Sequence, residues 1–578
     1  MEGNSLQERY QISGELTKKK LMKFLPFMIM TNLSNLLLVS VDGLVVGNFE
    51  GMDALSSVNV FYPIITVIGV LSAFISNGIA TALSVSMGES DQKTLLRLKD
   101  ASNKIMIVFA VLIGLVQIPI TYILIRSYGL SDQMYTLTWQ YAIGVLISMP
   151  FGLVSSIGVC QLQIVGKMKI LMVLAVIEGG VNLVMDLLFV GALKMGIAGA
   201  GYGTAIANVV RATTTVVYLY KKTDIYKTNG AKAEGRDVKK ILTVGLPECT
   251  YSAMMALQNY LIIKIVLFAF GESGGVIRGV CSFAYSVAFV IISGIQGSMR
   301  PLAGILSGAE DWKGLGILIR QCIHIMVVLV GAMTALTLIF PELLYSIHGA
   351  KTIPEYGVMS LRIFSVHFVI KGVDSIYRLY FANRGKSKFS STLTLVGSMT
   401  LPLFAYGLCM LFPNVWMWLS YLLSEIIIFA VSALKYRRMR QEDNNVEDCL
   451  GELYMTVEPK DAIDASRRIR NYAGEKHVKK KLANITSLCM EEMVAYAAAS
   501  QKNNDLNIQI VVRFFDDHSI FMMLDDGRCI SLDADEGVQN LITNNYQLLK
   551  KVAKETKYQY LLDMNYTVFN LEDKKTAS

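Results

Sequence analysis

The sequence predicts an all-α membrane protein of twelve transmembrane helices in two six-helix lobes, with a small C-terminal cytoplasmic α/β domain. Three observations carry that prediction. The 578-residue chain is 53% hydrophobic and only 17% charged, with a mean hydropathy of +0.45, which excludes a disordered chain and marks a multi-span membrane protein. Apolar stretches of about 18 to 28 residues, about twelve of them, recur from near Leu21 to near Leu434, each long enough to cross a hydrocarbon core. The membrane region also repeats itself at a nearly constant offset.

Taken in order, the expected spans centre near Leu36, Val70, Leu115, Ser148, Val181 and Val209 in the first half. In the second half they centre near Tyr251, Ser293, Leu329, Val369, Leu401 and Ile426. Lys18, Lys19, Lys20 and Lys23 precede an apolar stretch too long for a signal peptide, so the first span is expected to stay as an anchor. Basic residues crowd the N-terminus and the even-numbered loops, most densely from Lys221 and Lys222 to Lys239 and Lys240. The odd-numbered loops carry Arg126, Lys194, Arg278 and Lys351. The positive-inside rule then places both termini in the cytoplasm. The net charge of +8 is mostly this topology signal, and no nucleic-acid partner is expected.

The repeat gives the halves. Leu25-Pro26 is matched by Leu246-Pro247, Met87-Gly88-Glu89 by Ser307-Gly308-Ala309, and Val165-Gly166-Lys167 by Arg384-Gly385-Lys386, at offsets of 221, 220 and 219 residues. Six spans insert each half the same way up, so an axis along the membrane normal relates them, with a solute path between. The expected division is an N-terminus over 1–20, an N-lobe over 21–222, a basic loop over 223–240, a C-lobe over 241–435, a linker over 436–450 and a soluble domain over 451–572. In that domain, Asp461 to Tyr472 and Ala483 to Ser500 have helical periodicity, and Asn507 to Phe515 and Ser519 to Leu524 alternate as strands. A last helix is expected over Asn545 to Glu555 and a closing strand over Tyr558 to Met564.

The chemistry-bearing residues lie at membrane depth. The apolar segment from Ile170 to Gly191 carries Glu178, Asn182 and Asp186 four residues apart, on one slowly drifting helical stripe. A further carboxylate, Asp42, sits in the first span. Such groups are costly in the bilayer and persist where they meet a partner, a cavity or a transported ion; helix–helix glue is the plainer reading of Asn182 and Asp186. Na⁺ is a hard cation that suits two carboxylates, an amide and a hydroxyl, and the same carboxylates could exchange protons instead. Lys264 is expected to pair with a carboxylate or to snorkel, and Arg300 to contact head groups; nothing in the sequence supports a role for Glu425. The eight scattered cysteines, without a CxxC, and the five dispersed histidines propose neither a metal site nor a disulfide framework. No cofactor is expected beyond a coupling Na⁺ or H⁺.

These residues resemble a known family. Val41-Asp42-Gly43-Leu44-Val45-Val46-Gly47 is similar to the first-span motif of the MATE (multidrug and toxic compound extrusion) transporters. Asn182-x3-Asp186, followed by Gly196-Ile197-Ala198-Gly199-Ala200 and Thr204, resembles their fifth and sixth spans. Gln296-Gly297 with Pro301 and Gly304 resembles the eighth, and Asp374, ten residues before Arg384-Gly385, the tenth. The resemblance covers about residues 15–440. It implies a cation-coupled antiporter, not an enzyme, in the cell membrane, exporting an organic and often cationic solute. It further implies an N-lobe cation or proton site at Asp42, Asn182, Asp186 and Thr204, beside Glu178, and a C-lobe site at Asp374. A lipid-linked saccharide flippase of the same superfamily is the sister reading, disfavoured by the paucity of basic residues inside the spans.

The tail resembles the GHKL-type ATPase fold of anti-sigma-factor kinases and histidine kinases. Leu488-Cys489-Met490-Glu491-Glu492-Met493-Val494 is similar to the helix bearing their Glu and Asn, and Asp525-Asp526-Gly527 to their adenine-contacting turn. That implies a degenerate nucleotide site at Glu492, Asp526 and Gly527, because Tyr496 stands where the Mg²⁺-binding Asn is expected and no glycine-rich lid surrounds Asn544 to Leu549. A nucleotide or regulatory partner of the tail, or a membrane sensor signalling through it, is the remaining alternative.

Overall fold

A computed structural model describes residues 15–89, 91–127, 130–270, 272–308, 310–347, 353–444, 449–499, 506–528, 553–562 and 564–572. The helices are α1 (Glu15–Phe49), α2 (Met52–Glu89), α3 (Gln92–Ser127), α4 (Asp132–Ile164), α5 (Met168–Asp186) and α6 (Ile197–Lys222) in the first half. They continue as α7 (Gly235–Phe270), α8 (Glu272–Gly308), α9 (Trp312–Ile339), the short α10 (Pro341–Ile347), α11 (Gly357–Ser365), α12 (His367–Asn383), α13 (Ser387–Leu411) and α14 (Leu419–Asn444). Among the described residues, nine stretches are long and apolar enough to cross a membrane, among them Gln92–Arg126 and Trp312–Ile339. Their outer faces remain apolar and exposed, as at Leu115, Ile123 and Leu403, which suits a lipid solvent. Helices begin earlier and end later than the apolar pattern: α1 starts at Glu15, and α14 runs through the basic cluster to Asn444, where the sequence suggested a linker. Lys435-Tyr436-Arg437-Arg438-Met439-Arg440 contains no helix breaker, so the helix continues past the apolar run.

The repeat is visible at the level of single hydrogen bonds. After α4, the backbone N–H groups of Val165, Gly166 and Lys167 donate to the carbonyls of Gln161, Gln163 and Leu162; after α12, those of Arg384, Gly385 and Lys386 donate to Tyr380, Ala382 and Phe381. Gly166 and Gly385 take φ of 74° and 70°, a left-handed conformation that ends a helix and costs glycine nothing. The helix crossing of α2 with α8 is equally symmetric. A Cβ at Gly88 would overlap the Ile305 carbonyl oxygen, and one at Gly308 would overlap that of Val85. Gly88 and Gly308 are repeat mates, as are Val85 and Ile305, so each half presents the same surface to the other. Small residues permit this close backbone approach between helices in lipid.

The chain divides into two compact units. One comprises Lys23–Glu310 and Ile319–Arg437; the other comprises Met1–Met22, Asp311–Leu318 and Arg438–Ser578. The second unit holds a five-stranded antiparallel sheet in the order β1-β2-β3-β5-β4, built from β1 (Gly451–Val457), β2 (Ile508–Phe514), β3 (His518–Asp525), β4 (Ala553–Leu561) and β5 (Met564–Glu572). Helices α15 (Ala462–Glu475) and α16 (Lys480–Ala499) supply Ile469, Leu482 and Met490 to a core shared with Phe514, Phe521 and Phe569. The expected helix over Asn545 to Glu555 lies outside the described residues up to 552, as does the region of the missing lid. Its last residues, from Ala553, belong instead to β4, and the expected closing strand is a hairpin of β4 and β5. The Ala-Lys-Glu composition of that segment favours a helix, but pairing of Ala553 with Leu571 overrides it.

Candidate functional site

Asp42 of α1, Tyr141 of α4, Asn182 and Asp186 of α5 and Thr204 of α6 meet inside the first half. The Asp42 carboxylate accepts from Tyr141 Oη at 2.8 Å, Thr204 Oγ1 at 2.8 Å and Asn182 Nδ2 at 3.2 Å. Asn182 Nδ2 also lies 3.3 Å from Thr204 Oγ1. The Asp186 carboxyl is buried beside Asp42 and has no protein donor on either oxygen, and Asn182 Oδ1 has none. Gly203 makes the room: a Cβ there would overlap Asp186 Oδ1. Directly after Asp186 the helix widens into a π-helix over Leu187–Ala192, where Leu193 N–H donates 2.8 Å back to Leu188 O; such widenings often sit at functional sites. The cluster is rich in acceptors and poor in donors, the composition that receives a small hard cation or a proton.

The buried stripe of α5 is Met168, Leu171, Ala175, Glu178, Asn182 and Asp186, but Glu178 does not join the cluster. Arg211 of α6 forms an ion pair with it and also donates to Asn35 Oδ1 at 3.3 Å. Glu178 therefore lies outside the Asp42–Asp186 cluster and is paired with a cation of the protein itself.

Asp374 is likewise engaged. Its two oxygens accept from Arg378 Nε at 2.6 Å and Ser432 Oγ at 2.7 Å, so this carboxylate already has a cation, in contrast to Asp186. Lys371, one turn earlier on α12, pairs with Glu425 of α14 at 2.6 Å. Arg300 is corrected from a head-group contact to a wall residue of a cavity of about 110 Å³ that also touches Lys371, Asp374 and Arg378. Three of the basic residues in the membrane region, few as they are, thus converge on one cavity. Lys264 lies exposed over the Tyr260 ring at 5.6 Å, with no carboxylate partner among the described residues.

In the second unit, the turn after β3 differs from expectation. Asp526 is occupied: it accepts from Asn507 N at 2.9 Å, Asn507 Nδ2 at 3.1 Å and Lys19 Nζ at 3.1 Å. Burial acts to raise its carboxyl, but these donors outweigh it and hold it below the usual range. The buried carboxyl is Asp525, which accepts from Asn565 Nδ2 at 2.7 Å and Gly527 N at 2.9 Å, while its Oδ2 has no partner. Burial pushes Asp525 up to about 6. Glu492 is half-buried on α16. A second network ties β1 to the start of α9: Tyr454 Oη donates to Asp311 Oδ1 at 2.6 Å, and Glu452 pairs with Lys313 at 2.6 Å and Arg513 at 2.8 Å.

A multi-span helical membrane protein built from two repeated halves, with a buried acceptor cluster in the first, is what the fold and the site define. The MatE family matches residues 28–188. The multidrug export protein MepA of Staphylococcus aureus (strain NCTC 8325 / PS 47) is 21% identical over 400 residues, covering 68% of this chain and 88% of MepA. A MOP-superfamily transporter from Pyrococcus furiosus Vc1 (DSM3638), whose binding pocket is said to have reverse polarity suggesting a different function, shares the fold. Its TM-score is 0.70 at 21% identity, over 74% of this chain and 97% of that one. A MATE protein in complex with MaD3S matches equally, with TM-score 0.70 and 22% identity over 74% and 97%. The chain is thus similar to MATE proteins by family model over residues 28–188 and by fold over about three quarters of its length.

Proposed function

We propose that the protein is a cation-coupled antiporter that exports organic solutes across the cell membrane by alternating access of two six-helix lobes. The observation that carries this reading is the juxtaposition of Asp42, which holds three donors, with Asp186, which holds none. A proton or Na⁺ arriving between them would neutralise a pair of carboxylates that repel each other in a low-dielectric site. Release of that cation would then be linked to reshaping of α5 beside its π-helix, and so to the solute path. The export activity in the name of MepA supports a drug-like organic substrate, and the resemblance to the family favours a cationic one. In this reading twelve helices span the bilayer, with both termini and the basic loop around Lys232 in the cytoplasm. The tail is proposed to regulate transport without powering it, with Glu492, Asp526 and Gly527 as candidate ligand contacts and Lys19 as the group a ligand would displace from Asp526.

The test is efflux from proteoliposomes under separate Na⁺ and H⁺ gradients. Movement of a fluorescent organic solute that requires one of the two gradients is expected. Movement indifferent to both would overturn the coupling.

A further inference from the structure

The N-lobe cluster is acidic, but the cavity beyond it has the opposite sign. Arg300, Lys371 and Arg378 face that cavity against a single carboxylate, Asp374. Two of the three cations are committed: Arg378 to Asp374 at 2.6 Å, and Lys371 to Glu425 at 2.6 Å. Arg300 is the exception. Its Nε is buried and has no acceptor, and no hydrogen bond or ion pair of this side chain exists among the described residues. Arg300 is half-buried, and a guanidinium at a cavity wall with a buried, unmatched N–H and no anion is less well satisfied than one that an anion meets. Beside it, Tyr285, Phe289 and Ile292 give the cavity an apolar, partly aromatic wall, the usual companion of a few placed polar groups in a ligand site.

We propose that this cavity binds an organic anion, with its carboxylate, sulfonate or phosphate on Arg300 and its apolar body against Tyr285 and Phe289. The inference rests on the transport reading and replaces the cationic solute favoured by the family resemblance with an acidic one. Lys371 and Arg378 are each neutralised by a carboxylate partner, so the uncompensated positive charge on the wall is that of Arg300. Bidentate geometry makes Arg300 the anchor, since a guanidinium offers two parallel N–H donors to such a group. An organic cation would meet the same wall with like charge. The acidic group can come from a soluble organic acid or from the headgroup of an anionic lipid; the recognising chemistry is shared.

Binding is measured on the full chain in nanodiscs of zwitterionic lipid, with fluorescein as the organic anion and ethidium as the organic cation. Fluorescein is expected to bind, and Arg300→Gln to weaken it at least tenfold, with Arg300→Lys, which keeps the charge but loses the bidentate fork, falling between the two. Gln296→Glu, a nearly isosteric change on the same wall, adds a carboxylate without removing any contact of Arg300 and is expected to weaken fluorescein equally and to favour ethidium. Competition by short-chain phosphatidate but not by benzenesulfonate assigns the site to a lipid headgroup; the reverse assigns it to soluble acids; both support an anion site. Absence of fluorescein binding, or binding unchanged in both Arg300→Gln and Gln296→Glu, overturns the proposal. Ion-driven movement of ethidium in proteoliposomes alongside that result would leave the transport reading standing. Anion binding lost in Arg300→Gln with no solute movement under any gradient would do the opposite.

Discussion

Asp42 accepts hydrogen bonds from Tyr141, Asn182 and Thr204, whereas Asp186, buried beside it, accepts none. In the proposed reading the two carboxylates have different tasks: Asp42 is held in place by its donors, and Asp186 keeps its lone pairs for a coupling cation. Asp186→Asn should abolish ion-driven efflux, by well over tenfold, with the protein still monodisperse, because an amide cannot replace the charge that a coupling cation neutralises. Thr204→Val, which removes one donor to Asp42, should lower the rate by roughly tenfold only, the worth of one hydrogen bond to a charged group. Transport assays in proteoliposomes decide both; wild-type rates in Asp186→Asn would refute the assignment.

Glu178 and Arg211 form a buried ion pair outside the cluster. Removing one partner of such a pair strands a charge and costs about 3 to 5 kcal/mol, while replacing both is close to neutral. Glu178→Gln should thus lower the thermal midpoint of the detergent-solubilised protein strongly, and Glu178→Leu with Arg211→Met should recover most of it. Efflux per folded molecule should remain in the double variant. Its loss there would return Glu178 to the coupling site.

Gly88 lies so close to α8 that a methyl group would enter the Ile305 carbonyl. Gly88→Ala should destabilise the contact by about 1 to 3 kcal/mol, the usual cost of overpacking, and Gly308→Ala by a similar amount. A cysteine pair at the neighbouring mates, Ser84→Cys with Gly304→Cys, should cross-link slowly or not at all in the wild-type background for the same reason: Gly304 has no space for a side chain against Ser84. Thermal unfolding and gel mobility check the two outcomes.

Asp525 sets a pH dependence in the tail. Burial raises its carboxyl to about 6 from an ordinary value of 3.8, so the folded tail binds the proton more tightly than the unfolded one. The resulting stability is fully present below about pH 4 and is lost as pH rises through 6, by at most ~3 kcal/mol. Asp526 and Glu452 are shifted downward, so their contributions have the opposite slope, present above the ordinary carboxyl range and lost as pH falls below it. Amide exchange in β2 and β3 of the full chain, corrected for intrinsic rates, should be slower at pH 5 than at pH 7. Asp525→Asn should remove most of that difference.

The tail is expected to be dispensable for the transport step. Truncation after Arg440 should leave ion-driven efflux within about threefold of the full chain, a factor worth less than ~1 kcal/mol. Complete loss in a truncated protein that remains monodisperse would give the tail a direct part in transport.

What the sequence revealed and what it hid follow from how local each signal is. The Gly166 and Gly385 turns were legible because a left-handed residue leaves a mark in the chain itself, and Asp42 and Asp186 because carboxylates stand out in apolar runs. Tyr141 carried no such mark; a tyrosine in a span becomes a site residue only when packing brings it to Asp42. Lys371, Asp374 and Arg378 did leave a trace, three charges at helical spacing on one face of α12, yet their partners Glu425 and Ser432 come from α14 and could not be paired by pattern. The strand β1 was missed because its hydrogen-bonding partner, β2, lies some fifty residues downstream.

The crossing of Gly88 with Gly308 has one more consequence. A residue that touches its own repeat mate sits on the symmetry axis, as in the contact of an isologous dimer, where one patch meets a copy of itself. Had the two halves once been separate identical chains, a single change at this position would have been felt on both sides of the interface at once. In the fused chain the halves can diverge nearly everywhere else, as the acidic cluster of one and the basic cavity of the other illustrate. Here they cannot drift apart, since no residue is smaller than glycine and neither partner has anything left to yield. The least elaborate pair of residues in the molecule is thereby the one in which each half most constrains the future of the other.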